Sequence, residues 1–282
     1  MEKKIRFVDA NLIEQAVKKL FLKAGKSPTK DMLDALKKAE NDETQQTAKK
    51  VISQLLENKT VSDKLDMPYC QDTGMAVVFI DIGDNVIISG DIDEAINLGV
   101  KNAYDQGFFR KSVLDPLLRI NTNDNTPAVI HKNIIPGDKI KISVMAKGFG
   151  SENMSRLKML KPSDGVDGIK KFVKKSVLKA GGCPCPPVIL GIGIGGTMEK
   201  AAMMAKKQLL RPVNDKNSDI RLAKMEQDIL NMVNSLGIGA MGFKGDTYCL
   251  GVKIETFPTH LAGLPVAINV NCHASRHESM EV

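Results

Sequence analysis

Tryptophan is absent from this 282-residue chain, and three tyrosines and nine phenylalanines bring the aromatic share to only 4%. That scarcity removes the stacking platforms on which single-stranded nucleic acid is held. It weighs against a nucleic-acid partner although the net charge is +7 and the isoelectric point about 9.0, values common among nucleic-acid-binding domains. The lysines are spread along segments such as "DALKKAE" and "IKKFVKKSVLKAG" rather than gathered in one patch. An anionic small molecule or an acidic partner suits such a charge equally well. Long apolar runs are missing too, and none approaches the roughly 20 residues of a bilayer span, so no membrane association is expected. The opening "MEKKIRFVDANLIEQ" turns polar too soon for a signal peptide, which makes the cytoplasm the expected location. No C-x-x-C pair occurs, so a zinc ribbon has no support. The five cysteines, Cys70, Cys183, Cys185, Cys249 and Cys272, are odd in number, which speaks against a disulfide framework.

What is present reads as a mixed α/β (α+β) chain. An apolar share of 43% and a charged share of 26% are ordinary for a globular protein. Residues 11 to 57 carry helical periodicity, with Leu12, Ile13, Val17, Leu20 and Phe21 on one face before Gly25. The period then changes to that of strands in "AVVFIDIG" and "NVIISG", joined by a Gly-Asp-Asn turn. "IDEAINLGVKNAYDQG" is helical, "RINTNDNTPAVIH" is a polar loop entering an extended segment, and "DKIKISVMAKGFGS" alternates into glycines. "DGVDGIKKFVKKSVLKAG", "TMEKAAMMAKKQLL" and residues 219 to 236 predict helices; "PPVILGIGIGG", "DTYCLGVKIETF" and "GLPVAINVN" predict strands. With no repeat or clear linker, the expectation is one domain over 1–282, in which 1–60 form a helical N-terminal part and a mixed sheet is flanked by helices.

Several clusters could carry chemistry. Gly191, Gly193, Gly195 and Gly196 form G-x-G-x-x-G between a predicted strand and helix. This is the dinucleotide fingerprint in form, but no acidic residue ends a clear strand about 20 residues on. A tight helix–strand contact, a backbone anion site and an NAD-binding oxidoreductase therefore stand side by side. "KGFGSENMS" is either a plain strand–helix loop or a carboxylate cradle offering the Gly150 backbone N–H. His260 lies twelve residues before Cys272, and His273 and His277 follow that cysteine closely. Cys70, Cys185 and Cys272 each stand at the edge of a predicted element, separated by 115 and 87 residues. They read either as buried thiols or as a three-thiolate site, and a non-enzymatic binding module is a further reading of the chain.

Taken together, "PYCQDTG", "NTNDNTPA", "KGFGSENMS", "CPP", "GIGIGGT", "GIGAMGFKG" and "NCHASR" resemble, in order from about residue 65 onward, the class I fumarase family of iron–sulfur hydro-lyases. The resemblance implies a [4Fe–4S] cluster held by Cys70, Cys185 and Cys272, with one iron left open as a Lewis acid. It implies reversible hydration of fumarate to malate, or the tartrate-to-oxaloacetate dehydration of L(+)-tartrate dehydratase, whose α subunit shares the motifs. By motif match Gln71 and Asp72 meet the substrate or its hydroxyl, Arg110 binds a substrate carboxylate, Gly150 donates a backbone N–H and His260 belongs to the active site. Long single-chain members carry a further domain, whereas this sequence stops ten residues after Cys272. The resemblance thus implies the α subunit of a two-chain enzyme, with a separate β subunit in an α2β2 assembly acting on a small dicarboxylate.

Overall fold

The computed structural model describes residues 5–282; the first four residues of the expected helical stretch lie outside the described residues. The elements run β1 (Arg6–Asp9), α1 (Ala10–Lys26), α2 (Lys30–Asp42), α3 (Gln46–Leu65), β2 (Met75–Gly83), β3 (Val86–Ser89) and α4 (Ile92–Gln106). They continue as β4 (Val129–Ile135), β5 (Ile140–Lys147), α5 (Phe149–Glu152), β6 (Arg156–Leu160), α6 (Gly165–Ala180), β7 (Val188–Gly195), α7 (Met198–Gln208) and α8 (Ile220–Asn234). Last come β8 (Cys249–Phe257), β9 (Leu264–Asn271) and β10 (His277–Glu281). The mixed α/β class is as expected. No described helix is long and apolar enough to cross a membrane. The chain forms two compact units: one from the chain up to Thr29 with Lys59–Gly148 and Arg276–Val282, the other from Lys30–Asn58 and Phe149–Ser275.

In the first unit a four-stranded sheet has the order β10-β5-β2-β4, with only β2 and β4 parallel. Residues of period two on β2 (Val78, Ile80) and β5 (Ile142, Val144) turn one face toward Ile13, Val17 and Phe21 of α1 and Ile96 and Val100 of α4. Both helices begin on an aspartate. Asp9 accepts from Asn11 N–H at 2.8 Å, and Asp91 accepts from Asp93 and Glu94 N–H at 2.8 and 3.0 Å. Helix α1 ends just before Ser27-Pro28, where proline disfavours helical backbone in its predecessor. β1 pairs in parallel with β3. In this pair β3 is the expected "NVIISG" strand, whereas β1, inside what reads as a helical N-terminus, is not legible in the sequence. β3 cannot join β2 across its turn because β4 and β5 already occupy both edges of β2.

In the second unit the sheet order is β6-β9-β7-β8, again with one parallel pair, β7 and β8. Val173 and Val177 of α6 and Ile229 and Val233 of α8 bury against Leu190, Ile192 and Ile254, while α7 lies on the other face through Ala201 and Ala205. The glycine series finds its explanation here. A Cβ on Gly191 would stand 2.1 Å from the carbonyl oxygen of Ala205, and one on Gly193 the same distance from that of Ala201. Two residues apart on a strand, they share a face, and α7 is pressed on it. Leu36, Ala39 and Ala48 join α2 and α3 to Ala240. Buried Glu43 accepts the N–H groups of Asp246 and Thr247.

Candidate active site

The Cys70–Gly74 turn sits in the first unit, at the entrance to β2. Gly74 has φ +81°, and a Cβ there would stand 2.7 Å from the backbone of Ala146, so only glycine brings the turn this close to β5. Cys70 Sγ is 3.7 Å from Gln71 Oε1. Asp72 Oδ1 accepts from Gly74 N–H at 3.1 Å and faces Arg110 Nη2 at 3.7 Å. The first unit therefore brings together Cys70, Gln71, Asp72 and Arg110. Gln71 and the Arg110 side chain are exposed, and Asp72 is partly covered.

Two cations to which the motif match assigns no role stand behind Asp72. Arg276 is 1% exposed and heads the largest buried side chains; Lys147 is likewise 1% exposed and donates to the carbonyl of Gly148 at 3.1 Å. A Cβ on Gly148 would lie 3.1 Å from Asp72 Oδ2 and 3.4 Å from Arg276 Nη2. The missing side chain at Gly148 thus leaves room for a carboxylate beside a guanidinium. Tyr104 is buried below them, its hydroxyl proton shared between the carbonyls of Thr73 and Gly74 at 2.8 and 2.9 Å. Burial pushes the Tyr104 phenol pKa up; Asp72 adds to the rise and Arg276 opposes it. Tyr104 is accordingly a neutral donor at any physiological pH. Arg276 lies in "NCHASR" and Lys147 in "KGFG", so the motifs contained both, but their burial depends on long-range pairing: the carbonyl of Arg276 accepts Ala146 N–H at 3.0 Å, and β10 pairs with β5.

In the second unit the antiparallel β7–β9 register pairs Ile189 with Asn271, which puts Cys272 and the segment before Val188 at the same end of the sheet. Cys185 stands there at φ +54°, a left-handed conformation costing a non-glycine residue on the order of 1 kcal/mol or more. His273 Nδ1 lies 2.9 Å from the Cys185 carbonyl oxygen. Gly150, on the short α5, belongs to this end: a Cβ there would be 3.9 Å from the carbonyl oxygen of Cys183. Glu152 of α5 pairs with Lys206 of α7 and accepts from Asn269 Nδ2 at 3.2 Å, which anchors the loop. His260 is not brought to these cysteines. It lies before β9, next to Thr259, whose hydroxyl donates to the Gly196 carbonyl at 2.9 Å. The eight residues of β9 separate it from Cys272, about 26 Å at strand rise. Its Nδ1 accepts Ala262 N–H at 3.2 Å.

None of the five cysteines is in a disulfide. Cys70 and Cys272 are partly exposed, and Cys183 and Cys185 are exposed, so their thiols are accessible as thiolate donors. Cys249 is different: burial pushes its thiol up to about 12, and it serves as a small apolar core group. The donor chemistry of Cys70, Cys185 and Cys272 fits an iron–sulfur cluster. Among the described residues no group of three or more His, Cys, Asp or Glu stands ready to hold a single ion.

Comparison with known proteins places the chain in a family. The model of the fumarate hydratase (Fumerase) family matches residues 14–281. A protein of Methanocaldococcus jannaschii, provisionally named L(+)-tartrate dehydratase subunit alpha, is 42% identical over 271 residues, covering 94% of this chain and 95% of its own. The L(+)-tartrate dehydratase subunit alpha of Escherichia coli K12 is 30% identical over 256 residues, covering 89% and 84%. The chain belongs to the fumarate hydratase family, and it is a hydro-lyase.

Proposed function

We propose that this chain is the α subunit of a two-chain, iron–sulfur-dependent hydro-lyase that adds water reversibly to fumarate, giving malate. The observation that carries this reading is the Asp72 carboxylate 3.7 Å from the Arg110 guanidinium, in the turn that begins at Cys70. In this reading residues 1–282 act as one catalytic domain with 1–60 as its helical N-terminal part. Cys70, Cys185 and Cys272 hold the cluster. When bound, a [4Fe–4S] group with one open iron supplies a Lewis acid for the substrate's hydroxyl and carboxylate.

The chain's own residues do the rest. The planar guanidinium of Arg110 forks onto one carboxylate of the dicarboxylate. The Gly150 backbone N–H donates to substrate oxygen, and the Gln71 amide orients the departing hydroxyl. Asp72 carries the proton: it removes it from carbon when malate loses water and returns it when fumarate gains water. We assign His260 no step, because β9 separates it from Cys272. The "subunit alpha" in the relatives' names supports a separate β subunit, in an α2β2 assembly. We place the enzyme in the cytoplasm, where thiols stay reduced.

The same names favour a second reading, dehydration of L(+)-tartrate to oxaloacetate, which needs the same carboxylate clamp. Turnover of malate and of tartrate by the anaerobically purified αβ complex separates the two. Faster malate turnover is the expected result; turnover of tartrate alone establishes the second reading, and a colourless complex inactive on both removes each of them. Single Cys→Ser changes at 70, 185 and 272 should each lower bound iron, whereas Cys183→Ser and Cys249→Ser should retain it.

A further inference from the structure

The stretch "NTNDNTPA" has no part in the chemistry proposed above, yet it holds a wholly buried amide. Asn125 is 0% exposed and sits at φ +63°, a conformation asparagine tolerates better than most residues. Its Oδ1 accepts the N–H groups of Ser112 and Val113 at 2.7 and 3.2 Å, and its Nδ2 donates to the carbonyl of Gly74 at 3.2 Å. One side chain thereby ties two segments: the turn just past Asp72 and the irregular segment just past Arg110. A second tie runs alongside. Thr73, 2% exposed, donates its hydroxyl to the Arg110 carbonyl at 2.6 Å.

We propose that Asn125 and Thr73 are positioning residues that set the Arg110 guanidinium against Asp72, and so fix the distance between carboxylate clamp and proton carrier for a short dicarboxylate. The inference rests on the function proposed above and deepens it. Arg110 needs such a hold. Its side chain is 59% exposed, and within its own segment it is steadied by one bond from Nε to Ser112 Oγ at 3.2 Å. A long exposed side chain aims a guanidinium only as well as its backbone is placed. In this unit that backbone is joined to the Asp72 turn through Thr73 and, two residues on, through Asn125. A displacement of about 1 Å at such a site costs on the order of 100-fold in rate. The geometry also explains why asparagine serves here: its Oδ1 accepts two backbone N–H groups on one side while its Nδ2 donates to a carbonyl on the other, a reach that a single hydroxyl oxygen lacks and a donation that a carboxylate cannot make.

The test uses the αβ holo-complex and the unreactive dicarboxylate succinate. Thr73→Val, Thr73→Ser, Asn125→Ala and Arg110→Met are compared by calorimetric succinate affinity, KM, iron content and circular dichroism. Thr73→Val and Asn125→Ala should weaken succinate tenfold or more and raise KM, with iron and fold retained; Thr73→Ser, which keeps the hydroxyl, should restore affinity. In an Arg110→Met background neither change should weaken succinate further, because both act through Arg110. Wild-type affinity in Thr73→Val, or effects that add to Arg110→Met, overturns the inference while leaving the proposed reaction standing. Wild-type succinate affinity in Arg110→Met overturns the proposed clamp as well. Should Asn125→Ala fail to fold, the contrast between Thr73→Val and Thr73→Ser still separates the outcomes.

Discussion

A carboxylate meant to move a proton must be held in place, and Asp72 is held in the turn before β2, with Arg110 3.7 Å from one oxygen. One oxygen takes the Gly74 N–H; the other lies by the point where Gly148 has no side chain, with Arg276 on its far side. The φ of Gly148 lies outside the left-handed range, so alanine fits the backbone there and only space is at issue. A methyl group 3.1 Å from Asp72 Oδ2 is closer than ordinary van der Waals contact and must turn the carboxylate. Gly148→Ala should lower kcat/KM tenfold or more, about 1.4 kcal/mol in barrier, while the melting temperature moves by only a few degrees. Steady-state kinetics beside a thermal melt checks both halves, and unchanged kinetics would remove Gly148 from the site. Arg276 and Lys147 show why residue-level reading falls short. In the sequence each is one more cation among forty Lys and Arg; only strand pairing shows that these two are buried against the turn.

Helix pairing is governed by the same competition between local preference and space. Gly99 lies mid-helix in α4, where alanine is the better helix former by about 1 kcal/mol. A Cβ there would meet the carbonyl oxygen of Glu14 on α1 at 2.7 Å and Val17 at 3.0 Å. Forcing a methyl group into a packed contact costs about 1–3 kcal/mol, so crowding outweighs propensity. Gly99→Ala should destabilise the protein by about 1 kcal/mol in urea unfolding; stabilisation would mean that α1 and α4 separate freely. The same reasoning accounts for the unexpected strands. β10, "HESME", is too polar to read as a strand and forms because the β5 edge accepts it. β6 follows the SENMS loop and forms because it finds the edge of β9.

At the scale of the whole molecule, the proposed function makes this chain one part of a two-chain enzyme. On that proposal, this chain alone, after anaerobic reconstitution with iron and sulfide, should hydrate fumarate at under about 1% of the rate of the proposed two-chain complex, since misplacing or losing catalytic contacts costs about 10²-fold or more. Full activity of the isolated chain, followed as fumarate absorbance, would refute the need for a partner.

By itself the sequence determined the reaction class. Seven motifs in order resemble one family, the resemblance implies a hydro-lyase, and the family's model matches residues 14–281. The amphipathic helices and the apolar strands β2, β5, β7 and β9 were legible because periodicity is a local property. Tertiary structure decided what depends on distance. It set Asp72 against Arg110 through Thr73 and Asn125, put Arg276 and Lys147 behind them, and grouped Cys185, Cys272 and Gly150 at one end of a sheet. It also sent His260 to the other end, although twelve residues along the chain read as close: a strand between two residues holds them apart at about 3.3 Å per residue.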